Sequence, residues 1–200
     1  VWYLDRLSKK FDDVKETVVT DTISGFNAFR EYNASVSLGT TFYGMFKFKK
    51  GNIEAIRHVV RPSVSYGYKP DFSDVYYEKV QQNAANPEEF LEYSPFSNGI
   101  FGSPSSGLSN SLSFTVNNNL EAKLRKKDSS ETEAKKIILL NNLNFSSSYN
   151  MAADSLKWSP VSVNAGTKLF DDKLSLNVRA TLDPYALNVN GRKINTFNYN

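Results

Sequence analysis

Tyr32-Asn33-Ala34-Ser35-Val36-Ser37-Leu38-Gly39-Thr40-Thr41-Phe42-Tyr43-Gly44-Met45-Phe46-Lys47-Phe48 alternates with a period of two. Its even positions include Ala34, Val36, Leu38, Phe42, Phe46 and Phe48, and its odd positions include Ser35, Ser37, Gly39, Thr41 and Lys47. Successive side chains of a strand point to opposite faces, so this segment reads as a strand with one apolar and one small, polar face. Lys49-Lys50-Gly51-Asn52 supplies a tight turn. The next run sets Ile56, His58, Val60, Pro62, Val64, Tyr66 and Tyr68 against Arg57, Val59, Arg61, Ser63, Ser65, Gly67 and Lys69.

Further along, Leu112, Phe114, Val116, Leu120 and Leu124 alternate with Ser113, Thr115, Asn117, Asn119 and Lys123. Ile137, Leu139, Leu143, Phe145, Tyr149 and Met151 then oppose Asn142, Asn144, Ser146 and Ser148. Val161 to Leu169 and Leu174 to Leu182 complete the set, joined by a hairpin turn at Asp171-Asp172-Lys173. The expected strands are 31–48, 56–69, 108–124, 136–151, 159–170 and 174–183. Strands that follow one another through hairpins make an up-and-down antiparallel sheet. Residues 70–107 interrupt the alternation with four prolines and a Gly/Ser-rich stretch, and read as one long loop. Within it Asn86-Pro87 offers a cap and first turn for a short helix over 87–92.

Composition narrows the function. With no Cys there is no disulfide scaffold and no thiolate zinc site. A single residue, His58, is the only histidine base available to a Ser-His-Asp triad, and no nucleophile elbow accompanies it. It shares the parity of Ile56 and Val60, which makes it an interfacial side chain. Asp71 and Asp74 read as turn residues rather than cation ligands. No catalytic, cofactor-binding or metal residue is assigned. A net charge of +3 lacks the concentrated basic face of a nucleic-acid binder, and no apolar run reaches the length of a spanning helix. The ends, Val1-Trp2-Tyr3 and Asn198-Tyr199-Asn200, suggest an interior piece of a longer chain.

A soluble β-sandwich or adhesion domain is one reading of such strands. Three features favour a transmembrane β-barrel. The polar face carries Ser, Asn, Thr and Gly, where a water-facing sheet uses charges. Several strands run to about fifteen residues, against a soluble mode of about five or six. Short and long connections alternate, as in outer-membrane barrels. With 49–52 periplasmic and 70–107 external, Tyr32, Tyr66, Tyr68, Tyr149, Trp158 and Tyr185 form an aromatic girdle on the outer side. Phe46, Phe48 and Phe170 lie on the inner side. Val36, Leu38, Phe42, Val60, Val64, Leu112, Phe114 and Val116 are the expected lipid-facing set. Residues 1–200 thus read as part of one outer-membrane β-barrel domain, an all-β fold. The small residues of the lumen face would leave an eight-stranded barrel hollow, so the whole barrel is expected to be large. Lys126-Lys127 and Lys135-Lys136 flank a turn and read as solvated.

An ordered series of short segments carries a family resemblance: Val19-Thr20-Asp21-Thr22, Tyr43-Gly44-Met45-Phe46, Ile56-Arg57-His58-Val59-Val60-Arg61-Pro62-Ser63-Val64-Ser65-Tyr66 and Ile100-Phe101-Gly102-Ser103-Pro104. Asn117-Asn118-Asn119-Leu120-Glu121, Tyr149 to Trp158 and Asp183-Pro184-Tyr185-Ala186 continue it. In this order they resemble the LptD (OstA-like) family of lipopolysaccharide-assembly outer-membrane proteins, in its Bacteroidota-type branch. The resemblance implies a non-enzymatic, cofactor-free barrel that inserts lipopolysaccharide into the outer leaflet among outer-membrane lipid. It implies an LptE-like plug lipoprotein and periplasmic bridge proteins as partners, and no nucleic acid. On that reading Ser35, Ser37, Ser63, Ser65, Ser113, Asn117, Asn144 and Ser146 line a saccharide path in the lumen. A generic outer-membrane channel or receptor barrel is the alternative function.

Overall fold

The computed structural model describes residues 2–125, 135–169 and 173–198. The fold is all-β and antiparallel, with one short helix among the described residues. It divides into two compact units, Val1–Ala34 with Tyr68–Ser109, and Ser35–Gly67 with Asn110–Asn200.

The first unit is assembled from two separate stretches of chain. Strands β1 (Trp2–Asp12) and β2 (Thr17–Ala28) form an antiparallel hairpin. Its turn is fixed by Asp12, whose Oδ1 accepts hydrogen bonds from the amides of Val14 and Lys15 at 3.0 and 3.1 Å. The expected 70–107 loop is folded rather than open. It contains helix α1 (Ser73–Tyr76) and a small hairpin of β6 (Glu78–Gln81) and β7 (Phe90–Tyr93).

The helix expected over 87–92 is replaced by a turn and by β7. The capping signals of Asn86-Pro87 are local. Pairing of Phe90 to Tyr93 with β6 and burial of Tyr93 outweigh them. The Tyr93 hydroxyl accepts from the Lys9 amide at 2.9 Å and donates to Glu78 Oε2 at 2.6 Å. Burial first, and then the bond to the Glu78 carboxylate, push the Tyr93 phenol above its ordinary value.

An aromatic cluster holds this unit together. Phe29 is 2% exposed and meets Phe96 edge-on, with ring centroids 5.0 Å apart. Tyr76 packs on both, and Phe72 joins it with Tyr32 edge-on at 5.4 Å. The Leu7 amide donates to the Pro95 carbonyl at 2.8 Å, tying β1 to the stretch after β7.

The second unit is built on a seven-stranded sheet. Its strands are β3 (Ala34–Gly39), β4 (Phe42–Lys47), β5 (Ile53–Lys69), β8 (Ser109–Leu124), β9 (Lys136–Asn150), β10 (Val161–Leu169) and β11 (Leu174–Leu182). The order is β11-β10-β9-β8-β5-β3, with β4 also on β5. Apart from the β5–β8 step, and from β3 and β4 sharing β5 as their partner, neighbours follow chain order, as the alternation implied. β11 forms one edge, and β3 with β4 the other.

A single strand was expected across 31–48, and the structure divides it at Thr40-Thr41. The cause lies in the partner strand. β4 pairs with β5 from Phe42↔Val60 to Lys47↔Ala55. The same register carries Ser37 to Ser65, whose hydroxyls hydrogen-bond, and Thr40 to Pro62. The Thr40 amide donates to the Pro62 carbonyl at 3.2 Å. Proline has no N–H to return, so the ladder lapses there.

A second departure lies in β9. Its pairing with β8 shifts between Asn118 and Glu121, so that Leu140 stands opposite Leu120 and Ile137 opposite Ala122. The extra β9 residues are accommodated as bulges, which interrupts the simple alternation of Ile137, Leu139 and Leu143. A further hairpin of β12 (Tyr185–Leu187) and β13 (Lys193–Phe197) follows the sheet. Its turn has Gly191 at φ +73° and Asn188 Oδ1 accepting from the amides of Asn190 and Arg192. Lys126, Lys127, Phe170 and Asp171-Asp172 lie outside the described residues.

Candidate functional site

The register of the sheet sorts its side chains into two faces of opposite chemistry. On one face Val116, Phe145, Val163 and Ala180 stand in a row across β8 to β11. Phe114, Leu112, Leu143, Ala165 and Val178 belong to neighbouring rows. On the β5 side, Phe42 faces Val60 and Phe46 faces Ile56. By alternation Val36, Leu38 and Val64 share this face. Much of it is uncovered: Leu38 is 75% exposed, Val178 64%, Phe42 59% and Val36 56%. An apolar surface of this extent requires a nonaqueous neighbour.

This face has a polar exception at His58 and Asn118. The His58 ring nitrogen Nε2 and Asn118 Oδ1 are 3.1 Å apart, and Asn118 Nδ2 donates to the Leu143 carbonyl at 3.1 Å. These hydrogen bonds offset part of the cost of placing the two side chains in an apolar row.

On the opposite face the rows are amides and hydroxyls. Asn117, Asn144, Asn164 and Arg179 stand side by side across four strands. The next row is Thr115, Ser146, Ser162 and Thr181. Ser113 faces Ser148, and Asn144 Nδ2 donates to Asn117 Oδ1 at 2.8 Å. Gly166 sits between Asn142 and Asn177, and a Cβ there would press on both side-chain oxygens. Glycine thereby lets two amides converge on one spot. On β3 and β5, Ser37 meets Ser65 and Gly39 lies beside Ser63, with Ser35 on the same face.

All eight polar residues singled out from the sequence thus share one face, and the eight apolar ones the other. Sequence reasoning missed the Asn164–Arg179 extension of the amide row, although their alternation with Val163 and Val178 contained it.

Charge collects at one end of the polar face, toward the 48–52 turn. Arg57 Nη2 is 3.3 Å from Glu121 Oε2, and Lys123 Nζ is 2.7 Å from Glu54 Oε1. Arg125 is held by the carbonyls of Gly51 and Phe48 at 3.0 and 2.6 Å. Mid-strand Arg61 donates to Asn119 Oδ1 at 2.6 Å.

The aromatic residues named from the sequence divide. Tyr149 and Trp158 meet edge-on at 5.1 Å, and Tyr66 is half-buried. Tyr68 is 36% exposed, and Tyr32 packs on Phe72 in the first unit. Tyr185 is only 6% exposed, stacked on Phe197, and its hydroxyl accepts from the Trp158 amide at 2.8 Å.

The carboxylates that the fold acidifies lie in connections. Hydrogen bonds from Ser105, side chain first and then amide, hold Glu31 below its ordinary value. The hydroxyl and amide of Ser73 do the same for Asp71. A hydrogen bond from Lys193, then one from the Tyr185 amide, lower Asp183.

Glu31 makes a pH prediction for the first unit. Its lowered folded value means that its stabilisation is complete above the ordinary glutamate range and is lost as pH falls through that lowered value. The protection of the Ser105 amide against hydrogen exchange, measured relative to the intrinsic rate at each pH, should fall on acidification in the parent. In Glu31→Ala that protection should be low already at neutral pH, without an acid step. An unchanged acid step in Glu31→Ala assigns the linkage to another group.

No curated protein and no solved structure matches this chain. The family model described as LptD protein matches residues 1–185. That span takes in the first unit and, among the described residues, every strand of the two-faced sheet. The chain therefore belongs to the LptD protein family, which places it in lipopolysaccharide transport at the outer membrane.

Proposed function

We infer that this chain is a section of the wall of a large outer-membrane barrel that inserts lipopolysaccharide into the outer leaflet, and that it does so without catalysing a reaction. The observation that carries the reading is the two-faced sheet. Its apolar face is exposed along β3, β4 and β11, and its other face is paved with Ser and Asn. Strands of 15 to 17 residues in β5, β8 and β9 exceed the roughly 9–11 needed to cross a bilayer. In this reading the apolar face meets lipid and the polar face lines the lumen. Residues 70–107 face outward, and the 48–52 turn faces the periplasm. The open edges and small lumen residues suit a wide barrel that admits a lipoprotein plug. Periplasmic bridge proteins deliver the glycolipid at the charged end.

The chemistry of the faces divides the substrate. Saccharide hydroxyls exchange water for Ser and Asn at little net gain, so a sugar chain can pass without being held. Acyl chains cannot follow, because wetting them costs roughly 0.8 kcal/mol per CH₂. They travel in or beside the membrane while the saccharide uses the lumen.

Photocrosslinkers at Ser65, Asn117 and Asn144 of the full-length protein should capture saccharide-bearing glycolipid during transport. Probes at Val64 and Val116 should capture mainly bulk lipid. If polar-face probes never capture glycolipid while other parts of the barrel do, this section is only wall. If no part captures it, a channel or receptor function replaces the transport reading.

A further inference from the structure

At the charged end of the polar face, Met45, Lys47, Ala55, Arg57, Lys123 and Lys136 line an open cavity of about 390 Å³, together with Glu54, Ala122 and Glu121. Its charges do not balance. Arg57 is paired with Glu121 and Lys123 with Glu54, while Lys47 and Lys136 have no carboxylate partner among the described residues. Four cations face two carboxylates.

The register sharpens the imbalance. Lys123 and Lys136 stand directly opposite each other on β8 and β9. Directly opposed like charges destabilise a strand pair, and such positions ordinarily carry opposite charges. Glu54 answers only one of the two. The floor is firm, since Ala55 is 8% and Ala122 1% exposed. The cavity therefore has a firm floor and, among the described residues, an excess of two positive charges. A phosphate, with its two negative charges and three strong acceptor oxygens, complements such an excess of ammonium and guanidinium groups.

We propose that this cavity is a phosphate-binding subsite, which takes the phosphorylated headgroup of the glycolipid as it enters the polar face. The proposal rests on the transport reading above and names the point where the substrate's charge is first met. Lys47 and Lys136 make the direct contacts. Arg57 and Lys123, already paired, supply the surrounding field. Among the described residues, the Ser and Asn rows beyond the cavity carry only Arg61 and Arg179 as mid-strand charges, so the headgroup leaves this cavity for a weaker field.

The test uses the full-length protein in detergent, with folded migration on seminative gels as the control for each variant. Binding is measured for a bis-phosphorylated glycolipid, for the same glycolipid stripped of phosphate, and for inorganic phosphate as competitor. Lys47→Gln and Lys136→Gln should each weaken binding of the phosphorylated form by about five-fold, with the double variant weaker still. Binding of the stripped form should not change, and Lys136→Arg should restore most of the loss. Competition by inorganic phosphate that the double variant abolishes supports the subsite. If inorganic phosphate binds in a lysine-dependent way but the glycolipid does not, the site belongs to the free ion, and the headgroup assignment is overturned. Equal losses for both glycolipids, or none for either, overturn the subsite altogether. A crosslinker at Asn144 separates the two levels. Glycolipid captured there with unchanged lysine variants sinks only the subsite, whereas capture at no part of the barrel sinks the transport reading.

Discussion

Leu38→Arg should destabilise the folded protein in a bilayer by about 2–4 kcal/mol if the residue sits near the midplane. The side chain is 75% exposed on the apolar face, so in the proposed orientation the guanidinium would lose its hydration to lipid. Ser37→Arg is the matched control. Its neighbour across the strand is Ser65, and an arginine there projects from the polar face and keeps its water at the cost of one hydroxyl contact. Denaturant unfolding of the full-length protein in lipid, monitored by gel mobility, measures both. Equal costs for the two substitutions would mean that the faces are not divided between lipid and water, and the barrel orientation would have to be abandoned.

Phe29→Ala should act as strongly in the first unit, by about 3–5 kcal/mol, because it empties the centre of the aromatic cluster. Phe29 is 2% exposed and touches both Phe96 and Tyr76, so its loss leaves a cavity that edge-on rings cannot refill without tilting. The expected result is rapid cleavage by added protease within 70–107, with the long sheet strands still protected. On intact cells that cleavage also reports sidedness, since the proposed topology puts this stretch outside. A variant whose 70–107 stretch is as resistant as the parent would show that the hairpins, not the aromatic cluster, hold the unit.

The strands that could be read in advance are those whose two faces differ in chemistry. In β5, β8, β10 and β11 most alternate positions are apolar, and this periodicity sets both the strand and its facing. β1 and β2 escaped because their pairs mix types: Ser8 faces Asp21, Lys10 faces Val19 and Arg6 faces Ile23. Neither face is uniformly apolar, so there was no period to find. β6 and β7 are four residues each, too short for a pattern, and β7 was hidden behind a helix start that is locally sound. The β12–β13 hairpin did leave a signal, Asn190-Gly191, a dipeptide suited to tight hairpin turns. Pro62 is legible as a ladder-breaker, but its effect falls on Thr40 of another strand, and only the register connects them. The polar face was legible as a set of residues. Its rows were not, since which Asn stands beside which depends on strand pairing. That Lys47 and Lys136 share one cavity was not legible for the same reason, because they are far apart in the chain.

The discontinuity of the first unit bears on the order in which the molecule is made. Its two stretches, ending at Ala34 and resuming at Tyr68, are separated by the whole of β3, β4 and most of β5. Joining them across a disordered intervening loop of that length would carry an entropic penalty of roughly 3 kcal/mol from length alone. Once β3 and β4 have zipped onto β5, the register that sets Ser37 against Ser65 also brings the neighbouring chain ends together, and most of that penalty disappears. The aromatic cluster is therefore expected to close late, after the hairpin and not before it. Burial of Phe29 then serves as a kinetic marker that the preceding pair of strands has been correctly laid down.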